Sequence, residues 1–208
     1  GLSALERAGV VQVHYDYIVE ETPELGLTDF AKVLTHFWAF AEQRQAGAAT
    51  IIRVRPAREA GVDAPFDLVE VVQADAPFLV DSTMGDLAEA GVSVRAMFHP
   101  LMDCDRDAAG GRVASTEHRE SMILVIVDPM TQERREAVRS SLAETLADVR
   151  LAVQDHAAMA ALMAEAADRL EAGIPGVSPE TQQENLDFLR WLQDDHFVFL
   201  GARDIDYP

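Results

Sequence analysis

The chain has 208 residues, 49% of them apolar, and a formal charge of −19. That supports one large domain or a smaller one with helical extensions, and it argues against nucleic acid or acidic phospholipid as a partner, since both attract a basic face. The single cysteine, Cys104, rules out an internal disulfide and fits a reducing compartment.

Val11, Val13, Tyr15, Tyr17 and Val19 alternate, so segment 10–19 is expected to form a short strand. Thr22-Pro23-Glu24-Leu25-Gly26 reads as a turn. Thr28 is then expected to cap a helix with the stripe Phe30, Val33, Leu34, Phe37, Trp38 and Ala41, ending near Gly47. Thr50 to Arg55 is a predicted strand closed by Pro56, and Arg58 to Pro65 a loop. The stretch from Asp67 to Ser82 carries the most information. An alternating segment runs into an acidic-proline turn, the amphipathic run Met84 to Ala90 stops at Gly91, and Val92 to Phe98 alternates again. That is strand, tight turn, helix, strand, and the turn leaves backbone N–H groups free at a helix start, where a carboxylate can bind. Asp81 and Ser82 are read as helix-capping residues, accepting N–H bonds in the first turn.

Pro100 to Glu120 is polar and contains glycine, which predicts a long hairpin connection. Ser121 to Val127 is apolar on both faces, as a central strand would be. Between Thr131 and Ala172 there is no glycine or proline, and Val138, Leu142, Leu146, Val149, Val153, Ala160, Met163, Ala167 and Leu170 keep three- and four-residue steps. The unbroken phase favours one helix of about 40 residues, far above the mean. The competing reading breaks it at Asp148 and makes Val149, Leu151 and Val153 a closing strand. Gly173 to Pro179 ends the helix, and Ser178 or Thr181 opens another with Leu186, Leu189, Trp191 and Leu192. Phe197 to Tyr207 reads as a final strand. The order β-β-α-β-β-α points to an α+β, ferredoxin-like antiparallel sheet with helices on one face, plus helical N- and C-terminal extensions. If the long helix is real, Thr50–Arg55 takes the place beside the first core strand that the missing last strand would fill. The expected organisation is an extension over 1–48, the sheet domain over 49–155, a helical connector over 156–195, and the start of a further strand or domain over 196–208. Gly1 at the start and an unpartnered strand-like end lead to the expectation of a segment of a larger protein.

Little chemistry is legible. No G-x-G-x-x-G occurs, so a dinucleotide site is not expected here. The one lysine, Lys32, reads as a solvated helix-face charge. Asp103, Asp105 and Asp107 mimic the start of a calcium loop, but Ala108 and Ala114 stand where glycine and glutamate are required. Cys104 with His99 and His118 lacks a fourth close ligand for zinc, and its acidic neighbours should raise the thiol pKa. His14, His36, His156 and His196 are scattered singly, and Ser82 has no histidine or oxyanion signature nearby. The expectation is no catalytic residue, no metal and no cofactor in this chain, no apolar run approaching the roughly 18 residues of a membrane span, and no charged-then-apolar leader. A cytoplasmic setting follows.

Asp75-Ala76-Pro77-Phe78-Leu79, with the amphipathic helix, Gly91 and alternating strand after it, resembles the ACT family of amino-acid-binding regulatory domains. A wider set looks like the N-terminal segment of the large bacterial NAD-specific glutamate dehydrogenases. It comprises Pro77-Phe78-Leu79-Val80-Asp81-Ser82, His99-Pro100, Arg106-Asp107-Ala108-Ala109-Gly110, Glu120-Ser121-Met122, the run Asp148 to Asp155, Phe188-Leu189-Arg190-Trp191-Leu192 and the run Asp195 to Gly201. The resemblance runs in order over most of residues 30–208. It departs at Ala76, where that family commonly has a second acidic residue, and at Ala202, where a tyrosine tends to stand. It implies an ACT-like regulatory and assembly segment far upstream of the catalytic domain. The parent would use NAD to convert glutamate to 2-oxoglutarate and ammonium. The resemblance further implies a small amino-acid effector at Asp75, Ala76, Pro77, Phe78 and Leu79, contacts with other domains and subunits, and homo-oligomerisation. A purely structural docking module and a free-standing amino-acid sensor are the alternatives.

Overall fold

Among the described residues alternation is realised as five strands: Gln12–Ile18 (β1), Thr50–Pro56 (β2), Asp67–Ala74 (β3), Val94–Arg106 (β4) and Arg112–Val127 (β5). The computed structural model describes residues 12–18, 26–42, 44, 50–203 and 205, with the backbone alone for 12–18, 27, 116 and 195. The strands form one antiparallel sheet in the order β1-β4-β5-β3-β2. The helices are Leu27–Ala41 (α1), Leu79–Glu89 (α2), Gln132–Glu171 (α3) and Pro179–Trp191 (α4). The chain divides into two compact units, residues 1–147 and 148–208.

In the first unit, β3-α2-β4-β5-α3 makes the ferredoxin-like core, and β2 sits where a last strand would close it. Its register against β3 runs from Thr50 opposite Gln73 to Pro56 opposite Asp67, as expected for a strand returning beside the first core strand. The expected central strand is also realised: Ile123, Leu124, Val125, Ile126 and Val127 are all buried, between β3 and β4.

The faces of β3 and β5 separate by alternation. Leu68, Val72, Met122, Leu124 and Ile126 share a cluster with Val33, Phe37, Phe40 and Ala41 of α1. Val69, Val71, Ile123 and Val125 are buried outside that cluster. The buried stripes left to cover them are Leu79, Thr83 and Leu87 of α2 and Val138, Leu142 and Leu146 of α3, each at four-residue steps. Asp86 of α2 joins these two helices, accepting from Ser141 and Thr145 at 2.7 Å each. The two core helices thus share one face as expected, and α1 from the N-terminal extension adds a layer on the other.

Helix ends follow local chemistry. α2 stops at a Schellman motif: Val92 N–H donates to Leu87 O and Gly91 N–H to Ala88 O, both at 2.9 Å. Gly91 has φ +65°, a conformation costly for any residue with a Cβ. Thr131 caps α3 by accepting from Arg134 N–H at 3.2 Å. α3 is continuous over 40 residues, so Val149, Leu151 and Val153 are helical and form no strand. In the second unit Ser178 caps α4, accepting from Thr181 N–H, and α4 runs into a short π-helical turn at Leu192–His196.

Three expectations are corrected. Gly26, not Thr28, is the N-cap of α1, which ends at Ala41; the expected turn at 22–25 and the helix end near Gly47 lie outside the described residues. Pro100 to Glu120 is no loose connection: β4 and β5 continue as a ribbon to a tight turn at 107–111. Among the described residues, Phe197 to Ile205 is not a strand. It meets no neighbouring ladder there, and alternation alone cannot supply one.

Candidate functional site

The β3–α2 turn was the expected binding site, and its geometry is specific. Asp75 N–H donates to Arg119 O at 2.8 Å, and the Asp75 carboxylate pairs with Arg119 at 3.1 Å. Phe78 is the N-cap of α2, at φ +69° and half-exposed, while Leu79 is buried. Among the described residues no side chain caps this helix, which corrects the reading of Asp81 and Ser82. The helix begins at Leu79, so Asp81 is already its third residue and Ser82 its fourth, with Ser82 N–H bonded to Phe78 O at 2.9 Å. The N-cap position itself falls to Phe78, whose ring has no oxygen to accept from the free N–H groups. Asp81 still complements the positive end of the helix dipole.

Beside this turn lies a cluster that the sequence reading did not foresee. Between the pairs Asp103–Arg119 and Cys104–Ala114 the register advances one residue along β4 against five along β5. Ser115 organises this excursion, its hydroxyl accepting from Glu117 and His118 N–H. The excursion brings Glu120 over Cys104 and Arg106. Glu120 is buried and receives three guanidiniums: Arg44 at 2.6 Å, Arg106 at 2.8 Å and Arg112 at 3.0 Å. Arg106 also donates to Ala41 O and Gly110 O, tying α1 and the hairpin turn to the site. Arg112 pairs with Glu42 at 2.5 Å and stacks over Trp38, its guanidinium carbon 4.4 Å from the ring centroid. Burial works to raise the Glu120 pKa, but the hydrogen bonds and charges of Arg106 and Arg112 overcome it and hold the carboxyl below its ordinary value. Glu120 is therefore an anion here and no general acid.

A second buried carboxylate, Glu70 on β3, is clasped by Arg53 and Arg55 of β2, and α1 again supplies the roof: Phe40 lies under Arg53 and His36 O accepts from it. Both clusters rely on the planar fork and stacking face of arginine, which a lysine lacks.

A cavity of about 130 Å³ opens at the first cluster, lined by Arg44, Ala74, Cys104, Asp105, Arg106, His118, Arg119 and Glu120. The Cys104 thiol donates to Glu120 at 3.8 Å. Burial, then the Glu120 charge, raises its pKa from 9.0 to about 11, so it is a neutral thiol and a poor nucleophile. The direction is the one expected, but the causes are burial and Glu120, not the neighbouring aspartates. His99 is buried against Ser121 at 2.7 Å, and His118 pairs with Asp105 at 3.2 Å. Asp107 accepts from Ala109 and Gly111 N–H, so this carboxylate shapes the hairpin turn. Among the described residues no three His, Cys, Asp or Glu side chains are placed to hold a metal. Lys32 pairs with Asp29 on the exposed surface of α1. Among the described residues no helix is long and apolar enough to cross a membrane.

Residues 10–142 match the family described as glutamate dehydrogenase, ACT1 domain. The chain belongs to that family. The match takes in every strand of the sheet, both buried carboxylate clusters and the first residues of α3. The chain is similar to the NAD-specific glutamate dehydrogenases of Halomonas elongata (33% identical over 194 residues, 88% of this chain and 12% of the relative) and Pseudomonas aeruginosa (26% over 196 residues, 89% and 12%). That of Mycobacterium tuberculosis is 28% identical over 143 residues, 64% of this chain and 9% of the relative. The ACT1 chain thus spans about one-eighth of the length of the first two relatives.

Proposed function

We propose that the ACT1 chain is a noncatalytic regulatory and assembly domain of a large, cytoplasmic, homo-oligomeric NAD-dependent glutamate dehydrogenase. The parent would oxidise glutamate to 2-oxoglutarate and ammonium, with NAD bound elsewhere in its sequence. The observation that carries this reading is the family match over the whole sheet, in relatives that are NAD-specific glutamate dehydrogenases about eight times longer. The proposed effector is a small amino acid at Asp75, Ala76, Pro77, Phe78 and Leu79. Its carboxylate would accept N–H bonds at the start of α2, where the helix dipole favours an anion, and its ammonium would compete with Arg119 for Asp75. Such a ligand alters catalysis only through different affinities for two states of the assembly. Calorimetry against a panel of amino acids tests this: heat from one of them, abolished by Pro77→Gly, is the expected result, and silence across the panel removes the effector. Turnover of NAD and glutamate by the isolated chain would overturn the noncatalytic reading.

A docking role without a ligand is the second reading, favoured by the second unit. There Phe188, Trp191, Phe197 and Leu200 are exposed, with Trp191 packed against His196 at 4.5 Å between ring centroids. A surface of that kind marks an interaction site.

A further inference from the structure

We propose that the exposed face of α4, centred on Trp191, docks on a basic-rimmed apolar surface in the part of the parent dehydrogenase that follows residue 208. Such docking gives the ligand-free reading its partner and rests on the longer parent proposed above.

The second unit buries little of its own apolar surface. Among its described residues, Met159, Ala167 and Leu186 are the buried apolar side chains, in a unit that spans residues 148–208. A unit of that length is marginal even when it buries about 60% of the surface its unfolded chain exposes. Phe188, Trp191 and Phe197 are instead 55%, 46% and 59% exposed, and they form one continuous patch. Trp191 is its hub, with ring centroids 6.2 Å from Phe188, 4.5 Å from His196 and 6.3 Å from Phe197. A contiguous aromatic patch of this kind is what a partner's surface covers.

Helical spacing sets the charges around it. Leu186 and Leu189 mark the inward stripe of α4. Glu180, Glu184 and Phe188 follow at four-residue steps on the opposite face, and Asp187 stands four residues before Trp191. The one basic residue of α4, Arg190, is turned to Glu171 at 3.2 Å. The patch is therefore aromatic at its centre and acidic at its rim.

That composition decides among occupants. A second copy would set the same carboxylates against these, and like charges across an interface repel. Anionic lipid attracts basic segments and repels this one. A protein surface with an apolar centre and a rim of arginine or lysine complements both features. The proposed parent has ample chain to supply it, since this chain spans 12% of each of the first two relatives. The Halomonas elongata match covers 88% of this chain, more than residues 1–147 contain, so it reaches into the second unit.

The test is hydroxyl-radical footprinting of the full-length parent and of the 208-residue chain, read by mass spectrometry at Phe188, Trp191 and Phe197. Trp191 is expected to be oxidised about tenfold more slowly in the parent, and to stay reactive when the 208-residue chain is concentrated. Glu184→Lys with Asp187→Lys reverses the rim at two exposed positions, and circular dichroism verifies that α4 persists. In the parent this variant is expected to lose most of the protection at Trp191. Equal reactivity in parent and chain overturns the proposal, as does protection unchanged by the charge reversal. Protection that strengthens on charge reversal, or that grows as the isolated chain is concentrated, assigns the face to a second copy and overturns it too. Protection in a parent that shows no amino-acid effector sustains this interface while sinking the effector. An effector response in a parent without protection sinks the interface alone.

Discussion

Glu70 offers the sharpest test of how the borrowed edge strand is held. Its carboxylate, fully buried, accepts from Arg53 Nε and Nη2 at 2.5 and 2.9 Å and from Arg55 Nε and Nη2 at 3.0 and 2.9 Å. Glu70→Gln preserves shape while removing the charge and half of the acceptor capacity. The two arginines respond differently. Arg53, with 28% of its side chain exposed, keeps Phe40 and His36 O and can turn to water. Arg55, only 5% exposed, is left as a buried cation without a counter-charge. Breaking a buried pair from one side costs about 3–5 kcal/mol, a large share of the roughly 5–15 kcal/mol that holds a domain together. The expected result is an unfolding free energy lowered by that amount, read as a urea midpoint shifted by the loss divided by an unchanged slope, and faster hydrogen exchange at the β2 amides. Glu70→Leu combined with Arg55→Leu replaces the pair with apolar side chains and is expected to recover most of the loss. A loss below about 1 kcal/mol in Glu70→Gln, or a double variant no better than the single, would refute the claim that this carboxylate pins β2 to β3.

Cys104, with its pKa raised to about 11, is expected to react with a thiol-alkylating reagent at pH 8 about a hundredfold more slowly in the folded chain than in urea, two pKa units of lost thiolate. Its neutral form favours folding fully below pH 9.0, and that contribution fades as pH rises toward about 11; equal rates folded and unfolded would contradict the burial of the thiol. Phe78→Gly, relieving φ +69°, is expected to raise thermal stability by up to about 1 kcal/mol. A drop instead would mean that the exposed ring holds the turn. Removing residues 1–48 takes away Val33, Phe37 and Phe40, each buried and worth about 1.5–3 kcal/mol. The remaining chain is expected to lose cooperative unfolding, and an unchanged calorimetric transition would show that α1 is dispensable.

The strand and helix order was legible because period-two and period-3.6 patterns coincide with what is buried. Val138, Leu142 and Leu146 hold their phase into a helix that never breaks at Asp148, and the swap of β2 for a last strand follows from that length. The ribbon at 100–120 was not legible. Its polarity imitates a solvated loop, yet its charges face one another: Asp103 stands opposite Arg119, and Arg106 and Arg112 converge on Glu120. Composition cannot distinguish a charge that meets water from one that meets its counterpart across a ladder.

The same argument explains why the site was seen at its margin only. Arg44 and Glu120 are 76 residues apart in sequence, and no local spacing announces that they touch. The available signal was indirect: Arg106 to Gly110 and Glu120 to Met122 both belonged to the resemblance to the dehydrogenases. In the folded chain those two segments meet in one cluster, with α1 closing over it through Trp38, Ala41 and Glu42. α1 closes over Glu70 in the same way through Phe40 and His36. A helix that reads as an appendage before the sheet therefore completes both buried charge clusters, and any ligand that reorganises the Glu120 cluster acts on α1 through Arg106 and Arg112.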